Sequence, residues 1–299
     1  MMLNKEVQKE YSKRINAVVN FILKNPTGEL SLSKLAGIAN YSPFHFQKIF
    51  KQVTGETPKQ FIIRMRLENS AHFLITHRQK SITEIALDSG LASPTTFSRA
   101  FKNYFGISAD ELRNLSLKEH IAFRQSLNLK KNTDFHFLTE EHDPKYWTKN
   151  LKVTVNKITS IRAVFVNTPM LDKNKFQEGF RKIIQQADAH DLLTSETKFI
   201  GIINPHIRLY QAAVTLQSYQ SPSKNMSTTE IEGGKFAVFK LTGDIRQTFQ
   251  AFHAFYELWL PQSPYRIKQS YAFEILSKNP LTKPYSNIER EIYIPIEPA

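Results

Sequence analysis

The chain has no cysteine in its 299 residues. That absence excludes a disulfide framework, a thiolate metal cage and a cysteine nucleophile, and it fits a reducing compartment. Long apolar runs are missing as well: no stretch approaches the roughly 18 residues that span a bilayer. The opening MMLNKEVQKEYSKR lacks the apolar middle of a secretory leader, so a cytoplasmic location is expected. Glycine is sparse, at 10 residues. Gly233 and Gly234 are too few to cradle a phosphate and read as a turn or bulge within a strand. Acid is short relative to base, with 27 Asp+Glu against 40 Lys+Arg and a formal net charge of +13. An excess of that size favours an anionic partner, nucleic acid or a membrane surface. It is densest in residues 1–116, with 16 basic against 9 acidic side chains; residues 117–150 hold 6 against 5, and 151–299 hold 18 against 13.

What the chain does have is a repeat. SPFHFQKIFKQVTG at 42–55 returns as SPTTFSRAFKNYFG at 93–106, with six matches in fourteen positions: Ser42/Ser93, Pro43/Pro94, Phe46/Phe97, Phe50/Phe101, Lys51/Lys102 and Gly55/Gly106. Each copy predicts one helix. Serine caps it, proline takes the first position where its missing N–H costs nothing, phenylalanines four apart form the buried stripe, and glycine ends it. The opposite face presents Phe44, Gln47, Lys48 and Lys51 in one copy, and Thr95, Thr96, Arg99 and Lys102 in the other.

Upstream, SLSKLAGIANY (31–41) matches SITEIALDSGL (81–91). Ser31 and Ser81 are caps, Leu32/Ile82 and Leu35/Ile85 buried positions, and Ala36/Ala86 the small residue that lets two helices cross closely. The offset here is fifty rather than fifty-one, which places one extra residue in the second turn near Ala92. A short helix, a tight turn and a second capped helix make a helix-turn-helix. TPKQFIIRMRLENSAHFLITH (57–77) has no breaker and predicts one long helix joining two such modules.

These residues resemble the DNA-binding region of AraC/XylS-type bacterial transcription regulators, through SLSKLA, YSPFHFQKIFKQVTGETPKQFIIRMRLENSAHFL, SITEIALDSGL and FSRAFKNYFGISADELR, over about residues 8–113. The resemblance implies that each module's second helix enters a major groove, the two grooves lying roughly 34–36 Å apart on one DNA face. It implies base-facing roles for Phe44, Gln47, Lys48, Thr95, Thr96 and Arg99. Ser42, Lys51, Ser93 and Lys102 are placed for phosphates, which set register without carrying sequence. Pro94 and Lys48 depart from side chains found in relatives, which bears on the target sequence.

Residues 117–150 mix charge and aromatics without a period and are expected to be a linker between a DNA-binding domain at 1–116 and a second domain at 151–299. His136, His142, Glu140, Glu141 and Asp143 fall in or beside it, but their spacing matches no standard metal site. From 151 the pattern turns to α+β. KVTVNKI and IRAVFVN read as strands, FQEGFRKIIQQADAHDLL as an amphipathic helix, and KFIGII and LYQAAVTLQ as strands again. The order recurs in TTEIEGGKFAVFKLTG, IRQTFQAFHAFYELWLP, QSYAFEILS and REIYIPIE, which predicts a duplicated strand-helix-strand-strand unit. Two such units paired about a pseudo-twofold give an antiparallel sheet with both helices on one side, and a groove on the other side or at the seam.

GKFAVFKLTG, YELWLPQS, YAFEIL and EIYIPIE are similar to the GyrI-like effector-binding domain, over about 151–297. That resemblance implies a small, apolar or cationic ligand held around a glutamate, here Glu274. Tyr210 and Trp259 fall at or beside its pocket-lining aromatics, although Gln211 stands where the family often has an acid. Tyr271 and Phe273 are expected beside Glu274, giving one charge among aromatics suited to an organic cation. Together the two halves predict a one-component transcription regulator with double-stranded DNA, a small-molecule effector and RNA polymerase as partners. No cofactor, metal or catalytic residue is expected. The alternatives make the C-terminal half a small-molecule hydrolase with Glu274 as base, or a protein-interaction module; no nucleophile motif supports the hydrolase.

Overall fold

A computed structural model describes residues 5–91, 93–116, 119, 123, 143–169, 173–204, 209–223, 226–269 and 271–299. Two compact units make up the chain, one of Met1–Asn114 with Ser223–Thr228, helical over Met1–Asn114, and one of Leu115–Pro222 with Thr229–Ala299, built on a sheet. Among the described residues no helix is long and apolar enough to cross a membrane.

The helical unit runs α1 (Lys5–Lys24), α2 (Leu32–Ile38), α3 (Pro43–Thr54), α4 (Pro58–Thr76), α5 (Ile82–Asp88), α6 (Pro94–Phe105) and α7 (Ala109–Asn114). Its punctuation follows the sequence. Ser31, Ser42, Thr57, Ser81 and Ser93 each sit in extended backbone and accept a hydrogen bond from the N–H three residues on. Gly55 and Gly106 end α3 and α6 at φ of 85° and 82°, a left-handed conformation that costs glycine nothing. The linking helix α4 opens with a capping box between Thr57 and Gln60. Ala92 lies outside the described residues.

α4 holds the two modules to one another. Arg66 donates to the carbonyls of Pro26 (2.9 Å) and Gly28 (3.1 Å), fastening the loop after α1. The turn of the second module meets the same loop at Gly90, where a Cβ would lie 2.6 Å from the Pro26 carbonyl. Glycine at φ 77° allows that approach. The Tyr104 hydroxyl of α6 donates to Glu68 of α4 at 2.8 Å.

In the second unit, α8 (Pro144–Asn150) is capped by the Asp143 side chain and buries Trp147. The end of the predicted linker is therefore ordered structure. The remaining metal candidates, His136, His142, Glu140 and Glu141, lie outside the described residues, among which no metal-ligating cluster occurs.

The sheet comprises β1 (Thr154–Ile158), β2 (Ile161–Pro169), β3 (Phe199–Asn204), β4 (Leu209–Thr215), β5 (Ser227–Ile231), β6 (Gly234–Leu241), β7 (Tyr265–Ile267), β8 (Ala272–Leu276) and β9 (Arg290–Pro298). Helix α9 (Lys173–Asp188) joins β2 to β3, and α10 (Ile245–Ala254) follows β6. The strand order is β1-β6-β9-β8-β3-β4-β2-β5, with β7 against β9. It is palindromic once the halves are exchanged: β1 corresponds to β5, β6 to β2, β9 to β4 and β8 to β3. Each half contributes its first strand to the edge of the other. At the centre β3 and β8 run antiparallel, with Gly201 opposite Glu274. Equivalent positions follow from the register. Gly201 corresponds to Glu274, their partners Ala212 and Ile292 correspond, and so do Tyr210 and Arg290, two residues earlier on those strands.

Three expectations need correction. The repeated unit is strand-strand-helix-strand-strand, because TTEIEGGKFAVFKLTG is two strands, β5 and β6, with Glu232 and Gly233 between them. Gly233 breaks the run because the β1–β2 turn presses against it; a Cβ there would lie 2.9 Å from the Ser160 nitrogen. The second helix changes character, since α10 passes into a π segment at Phe255–Trp259 and a 3-10 turn at Leu260–Gln262. Both helices do lie on one face: Phe176 and Phe180 of α9 contact Tyr210, and Phe255 stacks on Phe239. The centre of the opposite face is no open groove, however, for Ala163, Ile200, Ala213 and Phe273 are fully buried there.

Candidate nucleic-acid interface and buried carboxylate cluster

α3 buries Phe46, Ile49 and Phe50, and α6 buries Phe97, Phe101 and Phe105. A helix that commits one stripe to the core projects the residues half a turn away. Those are Phe44, Lys48 and Lys51 in α3, and Thr95, Arg99 and Lys102 in α6, all exposed. Phe44 is 83% exposed. Gln47 stands to one side, on the wall of a cavity of about 690 Å³ lined also by Leu32, Leu35, Pro58, Ile62 and Arg66.

Charge on this face is uncompensated. Some basic groups elsewhere in the helical unit have acidic partners, Arg14 with Glu10 at 2.7 Å, Lys80 with Asp88 at 2.6 Å, and Arg64 with Glu56, whereas Arg66 is held by backbone carbonyls. Lys48, Lys51, Arg99 and Lys102 form no ion pair among the described residues. The capping serines are already engaged. Ser42 accepts from the His45 N–H at 3.4 Å; Ser93 accepts from the Thr96 N–H at 3.2 Å and donates its hydroxyl to Thr96 Oγ1 at 2.9 Å. What they present outward is the amino end of a helix, where anions are favoured. The repeat also exposes Ser98, the register equivalent of Gln47, which the motif reading passed over.

In the second unit the structure brings Glu274 and Tyr210 together and separates them from Tyr271 and Phe273. Side chains alternate along a strand, so Phe273 points to one face of β8 and Glu274 to the other, and Tyr271, just before the strand, packs against the cluster that holds Phe273. Phe273 stacks on Tyr293 at 4.7 Å within the layer away from the helices. Trp259, in the π segment, stacks between Phe255 (5.2 Å) and Tyr265 (6.3 Å). Gln211 bonds Asn167 at 3.0 Å, on the face opposite Tyr210.

Glu274 is 0% exposed, on the face the helices cover. Its Oε1 accepts the hydroxyls of Tyr210 and Tyr285, each at 2.7 Å. Its Oε2 lies 3.1 Å from Nε of Arg290, which is also 0% exposed. Arg290 donates through Nη1 to the carbonyls of Gly243 (2.8 Å) and Tyr285 (3.2 Å) and through Nη2 to Thr248 Oγ1 (3.2 Å), and its guanidinium lies over the Tyr285 ring. Burial, with the Glu274 charge beside them, pushes both phenols well above their ordinary range, so they remain donors. Gly201 makes the room: a Cβ there would overlap the Tyr210 hydroxyl and lie 2.7 Å from Glu274 Oε1. Tyr285 and Arg290 had not been singled out from sequence. Aligning FIGII (199–203) with AFEIL (272–276), and YQA (210–212) with REI (290–292), would have pointed to Arg290 as the counterpart of Tyr210.

A helix-turn-helix domain model matches residues 35–115, and a GyrI-like small molecule binding domain model matches residues 151–297. An HTH-type transcriptional regulator of Haemophilus influenzae is 36% identical over 101 residues, which cover 34% of this chain and 34% of that protein. The chain thus spans about a third of that relative's length. The multiple antibiotic resistance protein MarA of Escherichia coli is 30% identical over 114 residues, covering 38% of this chain and 89% of MarA. Among solved structures, the DNA-binding domain of AdpA in complex with a target DNA is 27% identical and superposes with a TM-score of 0.33, over 34% of this chain and 91% of that one.

Proposed function

Because the chain belongs to the AraC-type helix-turn-helix regulators and carries a GyrI-like domain behind its DNA-binding region, we propose that α3 and α6 read successive major grooves on one DNA face and that a small molecule held in the second unit modulates transcription. The observation that carries this reading is the pairing of outer faces. Two helices alike in caps, buried stripes and glycine ends both expose, on the face turned away from the core, basic groups that form no ion pair among the described residues.

The roles divide by chemistry. Arg99 has the forked donors to take guanine O6 and N7, Gln47 suits adenine, and Phe44 and Thr95 offer apolar contact to a thymine methyl. Thr96, its hydroxyl held by Ser93, presents its methyl and one lone pair beside Arg99. Lys48 reads or neutralises according to the local base step. Lys51, Lys102 and the helix ends at Ser42 and Ser93 hold phosphates. A ligand in the second unit changes DNA binding, or contact with RNA polymerase, only through differential affinity for two states of the protein.

In vitro selection from a randomised duplex library with the full-length protein tests the DNA half. Enrichment of two short elements about one helical turn apart is the expected result. Salt-sensitive binding with no enriched sequence would reduce the basic face to an electrostatic surface.

A further inference from the structure

The Glu274 cluster is electrically closed but has one acceptor left over. Oε1 is filled by two tyrosine hydroxyls, whereas Oε2 is ion-paired with the Arg290 Nε 3.1 Å away without an aligned hydrogen bond, so that oxygen and that nitrogen each lack one among the described residues. A buried carboxylate oxygen whose ion-pair partner is not aimed at it keeps the capacity to accept from a donor that reaches it. The positive partner is fixed independently of that oxygen, since Arg290 is anchored by its bonds to Gly243, Tyr285 and Thr248. The surroundings are apolar and aromatic: Phe176, Phe180, Tyr210 and Tyr285 pack together over the carboxylate.

Resting on the small-molecule reading above, we infer that Arg290 determines specificity at this site: it selects neutral apolar molecules carrying a hydrogen-bond donor, an amide N–H or a hydroxyl, and excludes organic cations. The reason is charge balance. Glu274 and Arg290 sum to zero inside a region from which water is excluded. A neutral donor completes Oε2 and leaves that sum unchanged. A cation arrives stripped of its hydration, finds the carboxylate already paired, and leaves the site with net positive charge beside a guanidinium that cannot deprotonate. The cation-selective pocket expected from the lone glutamate of YAFEIL is thereby converted by a residue from the last strand.

The test is calorimetric titration, with thermal melting in parallel, of the full chain against two probes of matched bulk. Triphenylmethanol is neutral with one O–H donor, and methyltriphenylphosphonium is a cation with none. Wild type is expected to bind the alcohol at least tenfold more tightly than the phosphonium. Glu274→Gln should weaken the alcohol about tenfold, and Arg290→Gln, which keeps donors but removes the charge, should shift preference toward the cation at least tenfold. The wild-type comparison stands even if a variant fails to fold. Equal or tighter phosphonium binding by wild type, weakened by Glu274→Gln, would overturn the role of Arg290 while leaving ligand sensing intact. Binding of either probe that ignores Glu274→Gln places the site elsewhere and also overturns it. No binding of either probe by any form removes this cluster as a small-molecule site, and the inference with it.

Discussion

Gly201 and Glu274 face each other across the central strand pair, and the side chain one lacks is the volume the other occupies. Gly201→Ala should therefore cost about 1–3 kcal/mol or more, because the new methyl collides with the Tyr210–Glu274 hydrogen bond in a packed interior. Urea unfolding would measure it. Removing either charge alone should cost more, about 3–5 kcal/mol, since the remaining ion is buried without its partner. Arg290→Met combined with Glu274→Leu should recover most of that loss in the same unfolding assay. Glu257, on the π segment, titrates differently. Burial raises its carboxyl to about 7. A raised acid binds its proton more tightly in the folded state, so stability is greatest below the unfolded value near 4.5 and declines as pH rises toward 7. Glu257 is only half-buried, and solvent screening reduces the effect to about 1 kcal/mol, roughly 2–4 °C in Tm for a domain of this size. Melting curves of Glu257→Gln from pH 4.5 to 8 should lack that decline.

At the scale of elements, α3 and α6 share a sequence grammar whose consequences differ residue by residue. Arg99→Ala should relax preference at one base position at a cost of about 1–3 kcal/mol, whereas Lys102→Ala should weaken all sequences alike and lower the salt slope by about one. Competition binding on specific and random duplexes separates the two, and equal losses for Arg99→Ala would remove it as a base reader. The helices were legible because capping, a four-residue apolar spacing and a terminal glycine are local signals. The sheet was legible in part. Strand and helix order could be read from periodicity, but which strands pair is a long-range outcome, and the edge exchange of β1 and β5 leaves no local mark. YAFEIL shows the limit most clearly. Alternation alone puts Tyr271 and Phe273 opposite Glu274, yet it does not say that helices cover the glutamate's side, or that Arg290 and Tyr285 arrive from later in the chain. The split of β5 from β6 was hidden for a related reason, because Gly233 yields to a turn some seventy residues earlier.

For the whole molecule, the tandem modules lie on one chain and one linking helix, so a single copy carries both readers. Sedimentation on a minimal duplex should give one protein per site; two would mean that each copy uses one module. With the basic excess densest in residues 1–116, affinity should fall steeply with salt, and Lys51→Ala with Lys102→Ala should reduce the slope by about two.

The palindromic sheet has a further consequence. A position lying on a twofold axis has itself as its mate, so two identical half-domains assembled in this way would place either two glutamates or two glycines across the β3–β8 centre. The first arrangement sets like charges against each other in a dry interior, and the second leaves no acid at all. Likewise Tyr210 and Arg290, equivalent by register, would have to be both tyrosine or both arginine. One carboxylate held by one phenol and one guanidinium from matching positions is attainable only where the two halves are covalently joined and free to differ. The chemistry of this site therefore belongs to the broken symmetry of the fused pair, and neither half could supply it as a homodimer.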